Sequence, residues 1–174
     1  MDVRRSKLTL RSRLVMASFI ILAYSISCFL PALAFTREMD PTAPALVYQG
    51  WEALAVGWAA SINTLNSPGS SLRGALCSAS WWANILLWLD LAFLVRGLRR
   101  ATLISSGLTL LLGLGVFGLF STKYYFYSAG IVMQALLAGA WVWLGSLGMA
   151  FLAALILFFA PTEARQVTNV AENR

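Results

Sequence analysis

Residues 129–160 read AGIVMQALLAGAWVWLGSLGMAFLAALILFFA, 32 residues without one ionisable side chain. A hydrocarbon core about 30 Å thick is crossed by about 20 apolar residues in a helix. The stretch therefore predicts a membrane span, and one longer than a bilayer needs. At the usual rise it would reach about 48 Å. Such a helix must tilt, protrude or bend, and Gly145 and Gly148 are the expected bend.

Three further apolar stretches stand outward from it, at 14–35, 75–95 and 101–120. Backbone polar groups left unpaired in lipid cost several kcal/mol each, so all four stretches are expected to be helices. The alternation of a membrane barrel is absent. The composition agrees: 59% of residues are apolar and 11% charged, against about 45–50% and about 25% in soluble domains. The expected fold is an all-α membrane protein, a single domain forming a four-transmembrane-helix bundle.

The net charge of +6 matters less than where the charges sit. Arg4, Arg5, Lys7, Arg11 and Arg13 precede the first stretch. Arg96, Arg99 and Arg100 lie between the second and third, and Arg165 and Arg174 follow the fourth. The alternate side keeps only Arg37, Arg73 and Lys123. Basic residues favour the cytoplasmic side. Both termini are therefore expected in the cytoplasm of a bacterium, with the chain in its inner membrane and 161–174 as a cytoplasmic tail. The orientation rule accounts for the basic face, so nucleic acid is not an expected partner. Anionic lipid headgroups are.

A competing reading takes residues 1–34 as a cleaved secretory signal. It has a basic start, an apolar run and the small-x-small form Ala32-Leu33-Ala34 after Pro31. Cleavage would leave three spans. Against it, the run from Leu14 to Leu30 is longer than a usual signal core.

The longest connection, 36–74, opens polar and proline-broken. It then carries an apolar face, Trp51, Leu54, Trp58, Ile62 and Leu65, at helical spacing. A short interfacial or re-entrant helix is expected at about 50–65, on the outer side. Phe35, Tyr48, Trp51, Trp58, Trp81, Trp82, Phe120, Tyr124, Tyr125, Phe126 and Tyr127 gather at the outer ends, as in an aromatic belt. On the fourth stretch Ser146, Ala150 and Ala154 recur every four residues, as do Ala135 and Gly139. Small residues let helices approach closely, either within one chain or at a homodimer seam.

The sequence has no histidine. That removes the commonest general base and metal ligand. No catalytic constellation, metal set, cofactor motif or phosphate loop is present. Gly113-Leu114-Gly115 inside an apolar run reads as helix packing. Four polar residues remain as candidates. Asp90 is expected near the cytoplasmic end of its span, paired with a basic group such as Arg96, Arg99 or one of the N-terminal arginines, or holding a proton or cation. Glu52 is expected at headgroup level or inside an outer cavity. Asn84 and Gln134 are expected to be polar glue between the second and fourth spans. Cys28 and Cys77 allow a disulfide in an oxidising periplasm, with two buried thiols as the alternative.

The runs Phe29-Leu30-Pro31-Ala32-Leu33, Gly50-Trp51-Glu52-Ala53-Leu54 with Gly57-Trp58, and Trp82-Ala83-Asn84 resemble a pattern in small uncharacterised bacterial four-span inner-membrane proteins. The likeness covers roughly residues 14–100. Ile85 stands where those proteins often have proline. The resemblance implies no activity, but it implies that the tryptophan-glutamate segment and Asn84 form one outward-facing unit.

Three functions fit these features. The first is a non-enzymatic accessory, assembly or scaffold protein with a membrane-protein partner. The second is a small oligomeric transporter or channel subunit using an intramembrane carboxylate. The third is a lipid-binding or lipid-modifying protein, which would need Glu52, Asn63, Asn84 and Arg73 to converge.

Overall fold

The computed structural model describes residues 8–37, 42, 44–66, 79–117, 123–126 and 129–160. Five helices and a small sheet make up these residues. Helix α1 is Leu10–Phe29, α2 is Gly50–Asn66, α3 is Ala83–Arg96, α4 is Arg99–Leu114 and α5 is Ala138–Phe159. A 3-10 turn at Ser80–Trp82 leads into α3. Strands β1 (Pro31–Arg37), β2 (Leu46–Gln49), β3 (Lys123–Phe126) and β4 (Ala129–Leu136) form one antiparallel sheet in the order β2-β1-β4-β3.

Three helices are long and apolar enough to cross a membrane: Leu10–Phe29, Arg99–Phe117 and Ala138–Phe159. They mark the chain as a membrane protein. The all-α expectation is corrected by the sheet, which takes the end of the first predicted span and the start of the fourth. Pro31 ends the first span early, because its ring forbids helical continuation and forces the preceding residue out of the helical region. Leu30 is accordingly extended, at φ −95° and ψ 150°. The 32-residue apolar run divides in the same way. Its first eight residues, AGIVMQAL, form β4, and Ala138–Phe159 continues as one helix of 22 residues. No bend is needed at Gly145 or Gly148. A Cβ at either would meet nothing within 4 Å.

Of the second predicted span, 75–95, the described part is mostly helix α3. Helix α3 has 14 residues, about 21 Å, with the 3-10 turn before it. Residues 75–78 lie outside the described residues. Helix α2 begins and ends close to where it was expected.

Helices α1, α3 and α5 share a core of Ile20, Tyr24, Leu87, Leu91, Leu94, Leu147 and Leu157 with small residues between them, and Leu110 and Leu112 of α4 pack against it. Ser146, Ala150 and Ala154 are fully buried there, so this stripe is closed within one chain and is not free to seat a second copy. Phe19, Phe29, Ile104, Leu111 and Phe159 point outward, as lipid-facing side chains do. A second core, Ala32, Phe35, Val116, Met133, Leu136 and Ala140, joins the sheet to the ends of α4 and α5.

The two ends of the bundle are closed by different means. At one, α3 and α4 form a tight hairpin through Gly97 and Leu98. Gly97 takes φ +73°, a left-handed value that glycine adopts without penalty. Arg13 of α1 donates from Nη1 to the Val95 carbonyl beside it, at 2.7 Å. Arg99 donates to the last carbonyls of α5, those of Leu157, Phe158 and Ala160, where a cation suits the helix dipole. At the other end, the last turn of α1 meets the starts of α2 and α5. The Gly50 N–H donates to Leu30 O at 3.0 Å and the Leu137 N–H to Ala32 O at 2.8 Å.

That junction admits no side chain. A Cβ at Gly50 would lie 2.1 Å from Ser27 O, and one at Gly139 would lie 2.7 Å from Leu30 O. Gly50→Ala should therefore lower stability by about 1–3 kcal/mol, since backbone must move. Gly145→Ala, into open space, should change it by under about 1 kcal/mol. Thermal unfolding of both variants in detergent checks the contrast.

Candidate functional site

Three of the polar residues that the sequence singles out are held by hydrogen bonds, Asn84, Glu52 and Asp90, while the buried hydroxyls of Ser27, Thr102, Ser106 and Ser146 bond to backbone carbonyls one turn back. The first set centres on Asn84, in the first turn of α3. Its Oδ1 accepts from the Tyr24 hydroxyl of α1 at 3.2 Å and from Trp143 Nε1 of α5 at 2.8 Å. Its Nδ2 donates to Trp81 O at 2.8 Å. One amide thus uses three of its four hydrogen-bonding positions to join three helices. Asn84 is polar glue, as expected, but its partners are Tyr24 and Trp143 rather than Gln134. Gln134 is exposed on β4. Ala34 pairs with Ala135 and Phe35 with Met133, so Gln134 is the extra residue of a bulge and is turned away from the core.

Trp81 extends the set to α2. Its indole N–H donates to Leu54 O at 2.8 Å, and its ring packs against Gly57, where a Cβ would lie only 2.5 Å from it. The tryptophan-glutamate helix and Asn84 are thereby one connected unit. The aromatic residues divide between two jobs. Trp51, Trp58, Trp82 and Trp141 are exposed, in keeping with an interfacial belt. Phe35 is buried under the sheet, with Tyr48 edge-on to it at 5.6 Å. The side chains at 124–126, and residues Phe120 and Tyr127, lie outside those described.

The second set is a helix cap. Glu52 is the third residue of α2, and its Oε2 accepts from the Gln49 N–H at 2.8 Å. This is the backward half of a capping box. A glutamate three residues after the cap was a legible signal for it. The carboxylate satisfies an orphan donor of the helix start.

The third set is Asp90. It lies midway along α3, which starts at Ala83 and runs on to Arg96. Asp90 is only 2% exposed. The Thr109 hydroxyl of α4 donates to its Oδ2 at 2.6 Å, and Oδ1 is buried without a hydrogen-bond partner. The expected ion pair with a basic residue is not formed among the described residues. The nearby cations are directed to backbone instead, Arg13 to Val95 and Arg99 to the end of α5.

Other expectations find no site. Cys28 is a free, half-buried thiol, and Cys77 lies outside the described residues. Arg73 and the Asn63 side chain also lie outside them. Glu52 and Asn84, the remaining members of the outer polar set, bond to different groups. Among the described residues no three acidic or cysteine side chains gather as a metal would need. The sequence pointed to Asn84, Glu52 and Asp90 but not to their partners. Tyr24, Thr109 and Trp143 looked like ordinary span residues, because hydroxyls and indoles are common in membrane helices.

Asn84→Ala should cost about 1–3 kcal/mol, by leaving the Tyr24 and Trp143 donors buried without an acceptor. Tyr24→Phe should cost about 0.6 kcal/mol, the usual value of one hydrogen bond between membrane helices. Glu52→Gln should be close to neutral because glutamine also serves in this cap. Denaturation in mixed micelles measures all three. No family model matches this chain, and neither does any curated protein or solved structure.

Proposed function

We propose that this protein is a non-enzymatic accessory, assembly or scaffold component of a bacterial inner membrane. In this reading α1, α3 with its 3-10 turn, α4 and α5 are four spans. Both termini are cytoplasmic, residues 1–34 are retained, and the sheet and α2 lie on the outer side. The observation that carries it is the use of the buried polar groups. Asn84 is engaged by Tyr24, Trp143 and Trp81 O, and Glu52 by its own helix start. These are bonds that fix helices against one another, and they leave no convergent set of reactive side chains among the described residues.

The placement of the sheet has a physical support. A sheet with open edges does not sit in hydrocarbon, where its unpaired N–H and C=O groups would each cost several kcal/mol. The bilayer therefore has to cover the helical part, with the sheet beyond it. Arg13, Arg96, Arg99 and Arg100 then fall at the opposite face, where anionic headgroups attract them. Exposed Trp51 and Trp58 on α2 suit the outer interface. A second reading, a small oligomeric transporter or channel subunit, has one observation in its favour: the buried carboxylate of Asp90. Lipid binding or modification would need polar groups at one depth, and Glu52 and Asn84 are otherwise engaged.

Native mass spectrometry of the protein, released gently from its own membrane, tests the proposal. A second membrane protein at fixed stoichiometry is the expected result. A bare homo-oligomer, or one retaining a small molecule, would overturn it in favour of transport or lipid chemistry. The intact mass should correspond to a chain beginning near Met1. A chain beginning at Phe35 would remove the first span.

A further inference from the structure

Asp90 and Thr109 meet between α3 and α4 with too few protons for the contacts they make. The Thr109 hydroxyl has one proton and two acceptors. It lies 2.6 Å from Asp90 Oδ2 and 3.0 Å from the backbone carbonyl of Ser105, one turn back on its own helix. The second contact is the ordinary one for a threonine inside a helix. If the hydroxyl proton serves Ser105 O, then Oδ2 and the hydroxyl oxygen face each other as two acceptors. If it serves Asp90, the carbonyl contact loses its proton. Oδ1 is buried without a hydrogen-bond partner, and the Ser105 hydroxyl is the one other donor beside the carboxylate.

We propose that Asp90 and Thr109 form a proton-binding site inside the bundle, with one proton held on Asp90 Oδ2 and donated to the threonine hydroxyl oxygen. That proton completes the count. Asp90 O–H donates to Thr109 Oγ1, and the hydroxyl proton of Thr109 goes to Ser105 O. Each short contact then has one donor and one acceptor. Oδ1 becomes the carbonyl oxygen of a neutral acid, and an uncompensated charge no longer sits in the bundle interior.

Among the described residues no basic side chain pairs with the carboxylate. From α4 it is faced by Thr109 and Ser105, both uncharged. Helix α5 carries no ionisable side chain. On α1, Arg13 is held at the Val95 carbonyl and Tyr24 at Asn84. The site goes beyond the proposed scaffold role and does not depend on it.

Infrared spectroscopy of the full chain in lipid nanodiscs at neutral pH tests this. Wild type should show a protonated-carboxyl C=O band that shifts in heavy water, is lost in Asp90→Asn and moves in frequency in Thr109→Val. Asp90→Asn keeps the shape of the neutral acid, so it should fold with an unchanged melting temperature. If it does not fold, the Thr109→Val shift and the heavy-water shift still decide the matter. A wild-type spectrum with no acid band, or a band that Thr109→Val leaves in place, overturns the proposal. So does a band present in choline buffer and abolished by sodium, which would assign the site to a metal cation.

Discussion

The architecture depends on the pairing of backbone groups where α1 ends. Pro31 stops the helix, and the last carbonyls of α1 then need donors that lipid cannot provide. The Leu30 carbonyl takes the Gly50 N–H at the start of α2, and the Ala32 carbonyl takes the Leu137 N–H just before α5. The negative end of one helix is thus set against the positive ends of two others. Gly50 and Gly139 are the conditions of that approach, since a Cβ at either position would occupy the carbonyl oxygens. The sheet follows from the same junction: β1 leaves it in one direction and β4 enters it from the other, so the two strands pair.

From this junction inward the packing is of two kinds. Small residues on α5, Ser146, Ala150 and Ala154, bring helices close. Apolar surfaces gain little from meeting one another in a solvent as apolar as themselves, so van der Waals fit and hydrogen bonds must hold the bundle. Asn84 supplies the hydrogen bonds for three helices at one end. Arg13 and Arg99 supply them at the other by capping the carbonyls of α3 and α5. Asp90 stands apart from both systems. It is the buried acidic group whose bonding is incomplete with the protons that the neighbouring side chain carries, and this is why chemistry is assigned there and not at Glu52, whose carboxylate is absorbed by a helix cap.

Hydropathy and length alone marked the chain as a membrane protein, because an apolar run of 32 residues has no other stable solvent. They also placed α2, through its apolar spacing, and singled out Asn84, Glu52 and Asp90, because polar side chains are conspicuous against such a background. What they did not reveal is that two runs are part helix and part strand. Hydropathy measures how a side chain partitions and is blind to which neighbour its backbone bonds. Only the tertiary structure decided that residues 31–37 and 129–136 pair across the chain, that Gln134 is bulged outward, and that Asp90 meets a threonine and not an arginine. Each of these rests on contacts between residues tens to about a hundred positions apart, and such contacts leave no trace in local spacing.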